Sequence, residues 1–150
     1  MFGRAVVSLI PAAALGLVAV LATADAAEIL QHKGAVGPGL VLPKMDPVRG
    51  RTLFASKGCV VCHSVNGVGG DDAPAFDAAK MSPAMDPFDF VARMWRGAAA
   101  MIAMQEEELG AQIEFTGQEL ADIIAFLHDR KEQRKFSERD IPPRVRRLMK

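Results

Sequence analysis

The sequence predicts an all-α fold of three or four short helices joined by long loops. Three observations predict it. Two Asp-Pro pairs, Asp46-Pro47 and Asp86-Pro87, each set a capping carboxylate directly before a proline at the first helical position. Thr116 and Glu119 stand three residues apart ahead of an apolar run, the spacing at which each side chain caps the other's backbone. Finally, no stretch alternates polar and apolar residues for long enough to read as a strand, and no internal repeat is present.

The chain opens with a single cation, Arg4, an uncharged run from Ala5 to Ala24, and the small-residue triplet Ala24-Asp25-Ala26. This is the layout of a secretory signal, so residues 1–26 are expected to be a signal peptide cleaved after Ala26. An N-terminal anchor is the other reading, because the run approaches the roughly 20 apolar residues that cross a bilayer. Pro11 and the many alanines count against it. Either way, the rest of the chain is expected to be exported, in the periplasm.

Residues 27–45 hold Gly34, Gly37, Pro38, Gly39 and Pro43 without periodicity and read as a linker or an arm lying on the domain. A first helix is expected from Pro47 to Lys57, stopped by Gly58. The Gly-, Asp- and Pro-rich stretch from Asn66 to Ala84 reads as one long loop. The helix begun by Asp86-Pro87 puts Val91, Met94 and Trp95 on one face, and Ala98 to Glu107 reads as its continuation past Gly97. The last helix follows Thr116, with Phe115 facing Leu120 as a hydrophobic staple and Leu120, Ile123, Ile124 and Leu127 as its buried stripe. It is expected to run through Arg130 to about Lys135, and Pro142-Pro143 ends any helix before Arg144. A helical core this small is marginal alone, so something must fill its middle.

Net charge is zero, but the average hides an asymmetry. Residues 27–129 carry 8 Lys and Arg against 14 Asp and Glu, whereas residues 130–150 carry 9 against 3. The reading is a domain over residues 46–129 followed by a basic tail. That tail either folds back on the acidic domain or serves as a docking arm for an acidic protein or an anionic membrane surface. On the docking reading, truncation after Asp129 leaves the domain unchanged. Nucleic acid is not expected as a partner.

The two cysteines, Cys59 and Cys62, sit three positions apart and would close almost no loop as a disulfide, so they are there for chemistry. With the next residue they spell Cys59-Val60-Val61-Cys62-His63, the c-type haem attachment pattern. Two intervening residues let one turn present both sulfurs along one edge of a porphyrin, where they add to its vinyl groups as thioethers. His63 then projects its imidazole under the iron as an axial ligand. Two other chemistries use such a pair. A thioredoxin-type redox disulfide needs a βαβ setting, which is not expected here, and zinc wants four ligands, for which His32 and His128 are not suitably spaced.

From Asp46 to Asp129 the chain resembles the class I cytochromes c. The resemblance rests on Gly50 and Phe54 in the first helix, the Cys59 to His63 motif, Pro74 after a Gly-rich loop, methionines before the last helix, and Phe126-Leu127 near its end. It implies a small cytochrome c fold wrapped around one covalently bound haem per chain. It implies that Gly50 lets the first helix cross closely over the last near Phe126. It also implies that the carbonyl of Pro74 accepts the Nδ1 hydrogen of His63, fixing the tautomer. Ala73 stands where family members usually have glycine.

For the sixth ligand the methionines after the motif are Met81, Met85, Met94, Met101 and Met104. The string from Met94-Trp95 to Met101 resembles a cytochrome subgroup in which the ligand methionine follows a tryptophan by a few residues, which selects Met101. Met104, one turn further, is the alternative. His/Met ligation leaves no open iron site and suits electron transfer, so the expected activity is an electron carrier working with redox partner proteins and not an enzyme. The alternative is a haem enzyme or a gas or redox sensor with an open iron position. Only Ala, Ile and Met surround Met101 in sequence, with no acid or base for such chemistry.

Overall fold

The computed structural model describes residues 34–149. The signal or anchor reading of residues 1–26, the start of the arm and His32 lie outside the described residues. In chain order the elements are β1 (Gly34–Gly37), β2 (Leu40–Leu42), α1 (Pro47–Ser56), α2 (Cys59–Cys62), β3 (Ser64–Val65), β4 (Val68–Gly69), α3 (Pro87–Arg96), α4 (Ala98–Leu109), α5 (Gly117–His128), α6 (Arg130–Gln133) and α7 (Pro143–Arg146). Single 3-10 turns lie at Ala78–Lys80 and Glu138–Asp140. The fold is all-α, with four helices of ten or twelve residues, α1, α3, α4 and α5.

The caps form where the sequence put them. Asp46 Oδ1 accepts from the N–H groups of Val48 and Arg49 at 2.9 and 3.1 Å, and Asp86 Oδ1 from that of Phe88 at 2.8 Å. Thr116 Oγ1 accepts from Glu119 N–H at 3.2 Å, while Glu119 Oε2 accepts from Thr116 N–H at 2.8 Å. These bonds satisfy donors that a helix start otherwise leaves unpaired.

Gly50 sits where α1 meets α5. A Cβ there would lie 1.9 Å from the Asp122 carbonyl oxygen and 2.9 Å from Phe126 Cβ. The two backbones therefore touch directly, and the core grows outward from that contact. Phe54, Phe126 and Phe136 pack mutually with ring centroids 5.6 to 5.7 Å apart, in the tilted and edge-on arrangements that aromatic rings favour. Ala55, Val60, Val61, Val65, Ile123, Leu127, Ile141 and Val145 complete the cluster. Beside it the fully buried Asp122 is ion-paired to Arg49 at 2.8 Å, and its Oδ1 accepts from Asp46 N–H at 2.9 Å. A carboxylate this deep is tolerable because it is paired and hydrogen-bonded.

The structure departs from the sequence reading in five places. Two antiparallel hairpins are present, β1 with β2 and β3 with β4. In the second, Asn66 and Gly67 both take positive φ, 52° and 81°, the two-residue turn that asparagine-glycine favours. The continuous helix past Gly97 is two helices, because Gly97 at φ −93° and ψ 2° leaves the helical conformation and its N–H turns back to the Arg93 and Met94 carbonyls. The last helix stops at His128 instead of running to Lys135. Asp129 adopts extended backbone and caps α6 instead, its Oδ1 accepting from Glu132 N–H at 2.8 Å. In the α5 stripe Leu120 is only half-buried, and Phe126 is the aromatic at its centre.

The fifth departure is the basic tail, which is part of the core and not an appendage. Phe136, Ile141 and Val145 are 6, 2 and 4 % exposed. Arg51 on α1 pairs with Glu132 at 2.8 Å and with Asp140, and Arg144 donates to the Ser56 carbonyl at 3.1 Å. The residues after Asp129 therefore fold back onto α1 and share the buried cluster of the rest of the chain. Phe136, Ile141 and Val145 are apolar and gain by burial, and they join the same cluster as Phe54 of α1 and Phe126 of α5.

Candidate functional site

Gly58, in the left-handed region at φ 94°, separates α1 from the single turn α2, which carries Cys59 and Cys62. They stand as thiols with no disulfide between them, both half-buried. His63 ends this turn in extended backbone, its N–H donating to the Cys59 carbonyl at 3.0 Å. That change of direction throws the imidazole away from the helix, toward the loop that follows.

The loop lies back along the motif. Gly70 N–H donates to Val60 O at 2.9 Å, Ala73 N–H to Cys62 O at 3.0 Å and Phe76 N–H to Ser64 O at 2.8 Å. Pro74 O thereby sits 2.8 Å from His63 Nδ1. With Nδ1–H donating to that carbonyl, Nε2 is the nitrogen left to ligate a metal. Phe76 lies against the same imidazole, ring centroids 4.5 Å apart at 31°. Ala73 replaces the usual glycine without strain, since it is not among the described residues with positive φ.

Electrostatics separate the chemistries that use a cysteine pair. Burial pushes the Cys59 thiol up to about 12, overcoming a backbone hydrogen bond and the nearby Lys57 ammonium. A redox or disulfide-exchange cysteine needs the opposite shift, because its thiolate is the nucleophile. Burial likewise holds His63 below the ordinary histidine range, partly offset by its bond to Pro74, so the neutral, ligating form of the ring is favoured. Among the described residues no three His, Cys, Asp or Glu side chains are grouped to hold a metal ion, which leaves zinc unsupported.

Met101 lies on α4 in the wall of a cavity of about 190 Å³, together with Val91, Met94, Trp95, Ile102 and Phe115. Met104 is not in that wall. Between them α3 and α4 bury only one residue, Gln105, although α3 has a strongly apolar side. Trp95 is 79 % exposed and Phe88 64 %. The Met101 cavity includes none of Cys59, Cys62 and His63, and α3 reaches the histidine through Phe90, whose ring centroid lies 5.9 Å from that of Phe76. Uncovered apolar faces, two thiols one turn apart and an imidazole with Nδ1 already committed fit a flat apolar macrocycle carrying a metal. A larger groove of about 670 Å³, lined by Lys57, Gly58, Leu109, Glu114, Arg144 and Leu148 among others, offers no sulfur or imidazole ligand.

Sequence reasoning missed Phe76, Gln105 and Gln133. Gln105 is buried and its Oε1 accepts from Ile113 N–H at 2.8 Å, folding the chain after α4 back onto that helix. A glutamine before three glutamates reads locally as solvated surface, so nothing in the sequence flagged it. Phe76 carried the one usable signal, an isolated aromatic in a polar loop two residues after Pro74.

The family model described as Cytochrome c matches residues 47–131. The chain belongs to the cytochrome c family. No curated protein and no solved structure matches it. Membership brings haem-based electron transfer as the general activity and covalently bound haem c as the cofactor.

Proposed function

We propose that this chain is an exported, periplasmic electron carrier with one haem c, bonded through Cys59 and Cys62 and ligated by His63 and Met101. The observation that most supports it is the committed imidazole. His63 directly follows the two thiols, and its Nδ1 is tied to Pro74 O at 2.8 Å, leaving Nε2 for iron. When bound, the haem supplies a one-electron iron couple.

The chain's own residues supply the rest. Cys59 and Cys62 fix the ring edge, Pro74 and Phe76 hold the plane of His63, and Met101 stands in an apolar wall. That wall offers no acid or base, which favours a carrier over an enzyme or sensor with an open iron position. Redox partner proteins are its substrates in the functional sense, met through small and short-lived contacts. Lys131, Arg134, Arg139 and Arg147 are exposed on the folded tail, and they present positive charge to an acidic partner or an anionic membrane surface.

Expressed with its N-terminal segment alongside a haem-maturation system, the protein should keep its haem through denaturing electrophoresis. Cys59→Ala with Cys62→Ala should release it. Loss of all haem by the unmodified protein would overturn the proposal. Spectra of the reduced protein should be unchanged by carbon monoxide, and ready binding of it would favour the open-site alternative.

A further inference from the structure

Gln133 lies two residues beyond the stretch that the family model matches, on the short helix α6. It is 1 % exposed and is one of the largest fully buried side chains. A buried primary amide must satisfy two donors and an acceptor, and this one spends most of that capacity on the loop that holds His63. Its Oε1 accepts from Ala78 N–H at 2.9 Å, and Nε2 donates to Phe76 O at 2.8 Å and Leu127 O at 3.0 Å. Its own carbonyl accepts from Asn66 Nδ2 at 3.2 Å, at the other end of the loop. Arg130, one turn earlier, donates through Nε to Ala78 O at 3.1 Å.

Residues 70–76 are thus held from both sides. The carbonyls of Val60 and Cys62 in the motif and of Ser64 just after it fix the inner edge, and Gln133 fixes the outer edge at Phe76 and Ala78. Between those anchors are Pro74 O on His63 Nδ1 and the Phe76 ring against the His63 ring. We infer that Gln133 is a positioning residue for the axial histidine: the C-terminal extension sets the Pro74–His63 hydrogen bond and, through it, the iron's reduction potential.

The inference rests on the reading of His63 as the iron ligand. Donation from Nδ1–H to a carbonyl makes the imidazole a stronger electron donor, which favours the oxidised iron. Freeing the loop lengthens that bond, so the potential rises and the Nδ1 proton exchanges with solvent more readily.

The test compares haem-loaded Gln133→Ala with Val145→Ala, which also removes a buried part of the extension but takes away none of the hydrogen bonds above. Gln133→Ala should raise the midpoint potential. It should also speed hydrogen exchange of the His63 Nδ1 proton about tenfold, the factor that accompanies loss of one hydrogen bond of about 1.4 kcal/mol. The Ala78 amide should exchange faster too, a readout that does not involve the iron. Val145→Ala should move neither the potential nor the Nδ1 exchange. If Gln133→Ala loads no haem, the near-isosteric Gln133→Glu, which keeps an acceptor for Ala78 N–H, replaces it in the same comparison. Unchanged potential and Nδ1 exchange in the Gln133 variant, or equal shifts in Val145→Ala, would overturn the inference. Failure of the unmodified protein to hold haem would instead overturn the reading on which it rests.

Discussion

At the scale of single residues, the chemistry is concentrated in side chains whose neighbours make them unusual. Burial pushes the Cys59 thiol up to about 12, which suits disulfide exchange poorly, and it holds His63 below the ordinary histidine range, which favours the form of the ring that can ligate a metal. Cys59, Cys62 and His63 were legible in the sequence because their spacing is the chemistry. Pro74 was legible only through resemblance, and its carbonyl now lies at hydrogen-bonding distance from His63 Nδ1. Gln133 was not legible at all, since it bonds a loop 55 residues away and its neighbours in sequence are charged. The methionine choice remains the residue to test. Met101 shares a cavity wall with Trp95 and Phe115, whereas Met104 does not. Met101→Ala should abolish the methionine-to-iron charge-transfer band and lower the reduction potential, while Met104→Ala leaves both near the parent values. Absorption near the red edge of the oxidised spectrum, together with potentiometry, checks both variants, and the reverse pattern would move the assignment.

At the scale of elements, local signals fixed the starts of helices better than their ends. Asp46, Asp86 and Thr116 cap as their sequence pattern predicts, because a cap needs only residues within one turn. Gly97 and Asp129 end helices that the periodicity would have continued, Gly97 by leaving the helical conformation and Asp129 by turning its carboxylate to cap the next turn. The asparagine-glycine turn at Asn66 was readable but had only two short valine-bearing arms to support it. Two predictions belong here. Gly50→Ala gains about 1 kcal/mol of helix propensity but drives a methyl to 1.9 Å from the Asp122 carbonyl. Overpacking of rigid backbone should win by about 3 kcal/mol, seen as a lower midpoint in denaturant titration at unchanged slope. The second concerns Glu119, whose carboxylate is held at about 2, below its ordinary 4.5, first by its bond to Lys57 and then by Thr116 N–H. Because the folded value is the lower one, this contribution is fully present above pH 4.5 and is lost as pH falls toward 2. Glu119→Gln should therefore flatten the fall of melting temperature across that window, and an unaltered acid limb would contradict the assignment.

At the scale of the whole molecule, residues 130–150 combine buried apolar side chains with exposed cations, and the two can be tested separately. The sequence showed the cations plainly and the apolar residues among them only faintly, because Phe136, Ile141 and Val145 are spaced irregularly and no helix period joins them. Burying each such side chain contributes about 1.5 to 3 kcal/mol. Removing all three after Asp129 therefore approaches the entire 5 to 15 kcal/mol by which a domain of this size is stable. Truncation there should leave little helical signal in circular dichroism and little attached haem, the opposite of what a detachable arm predicts. The charges are a different matter. Lys131, Arg134, Arg139 and Arg147 are exposed, so replacing all four with glutamine should keep the melting temperature within a few degrees, as surface changes usually do. If these cations steer encounter, the quadruple variant should exchange electrons with an acidic redox protein more slowly than the parent at low salt. The two rates should converge as ionic strength rises and the Debye length shrinks below about 8 Å. Binding to anionic vesicles should weaken in the same variant if the surface instead meets lipid. Rates that coincide at every salt concentration, with equal vesicle binding, would show that the tail serves the fold alone.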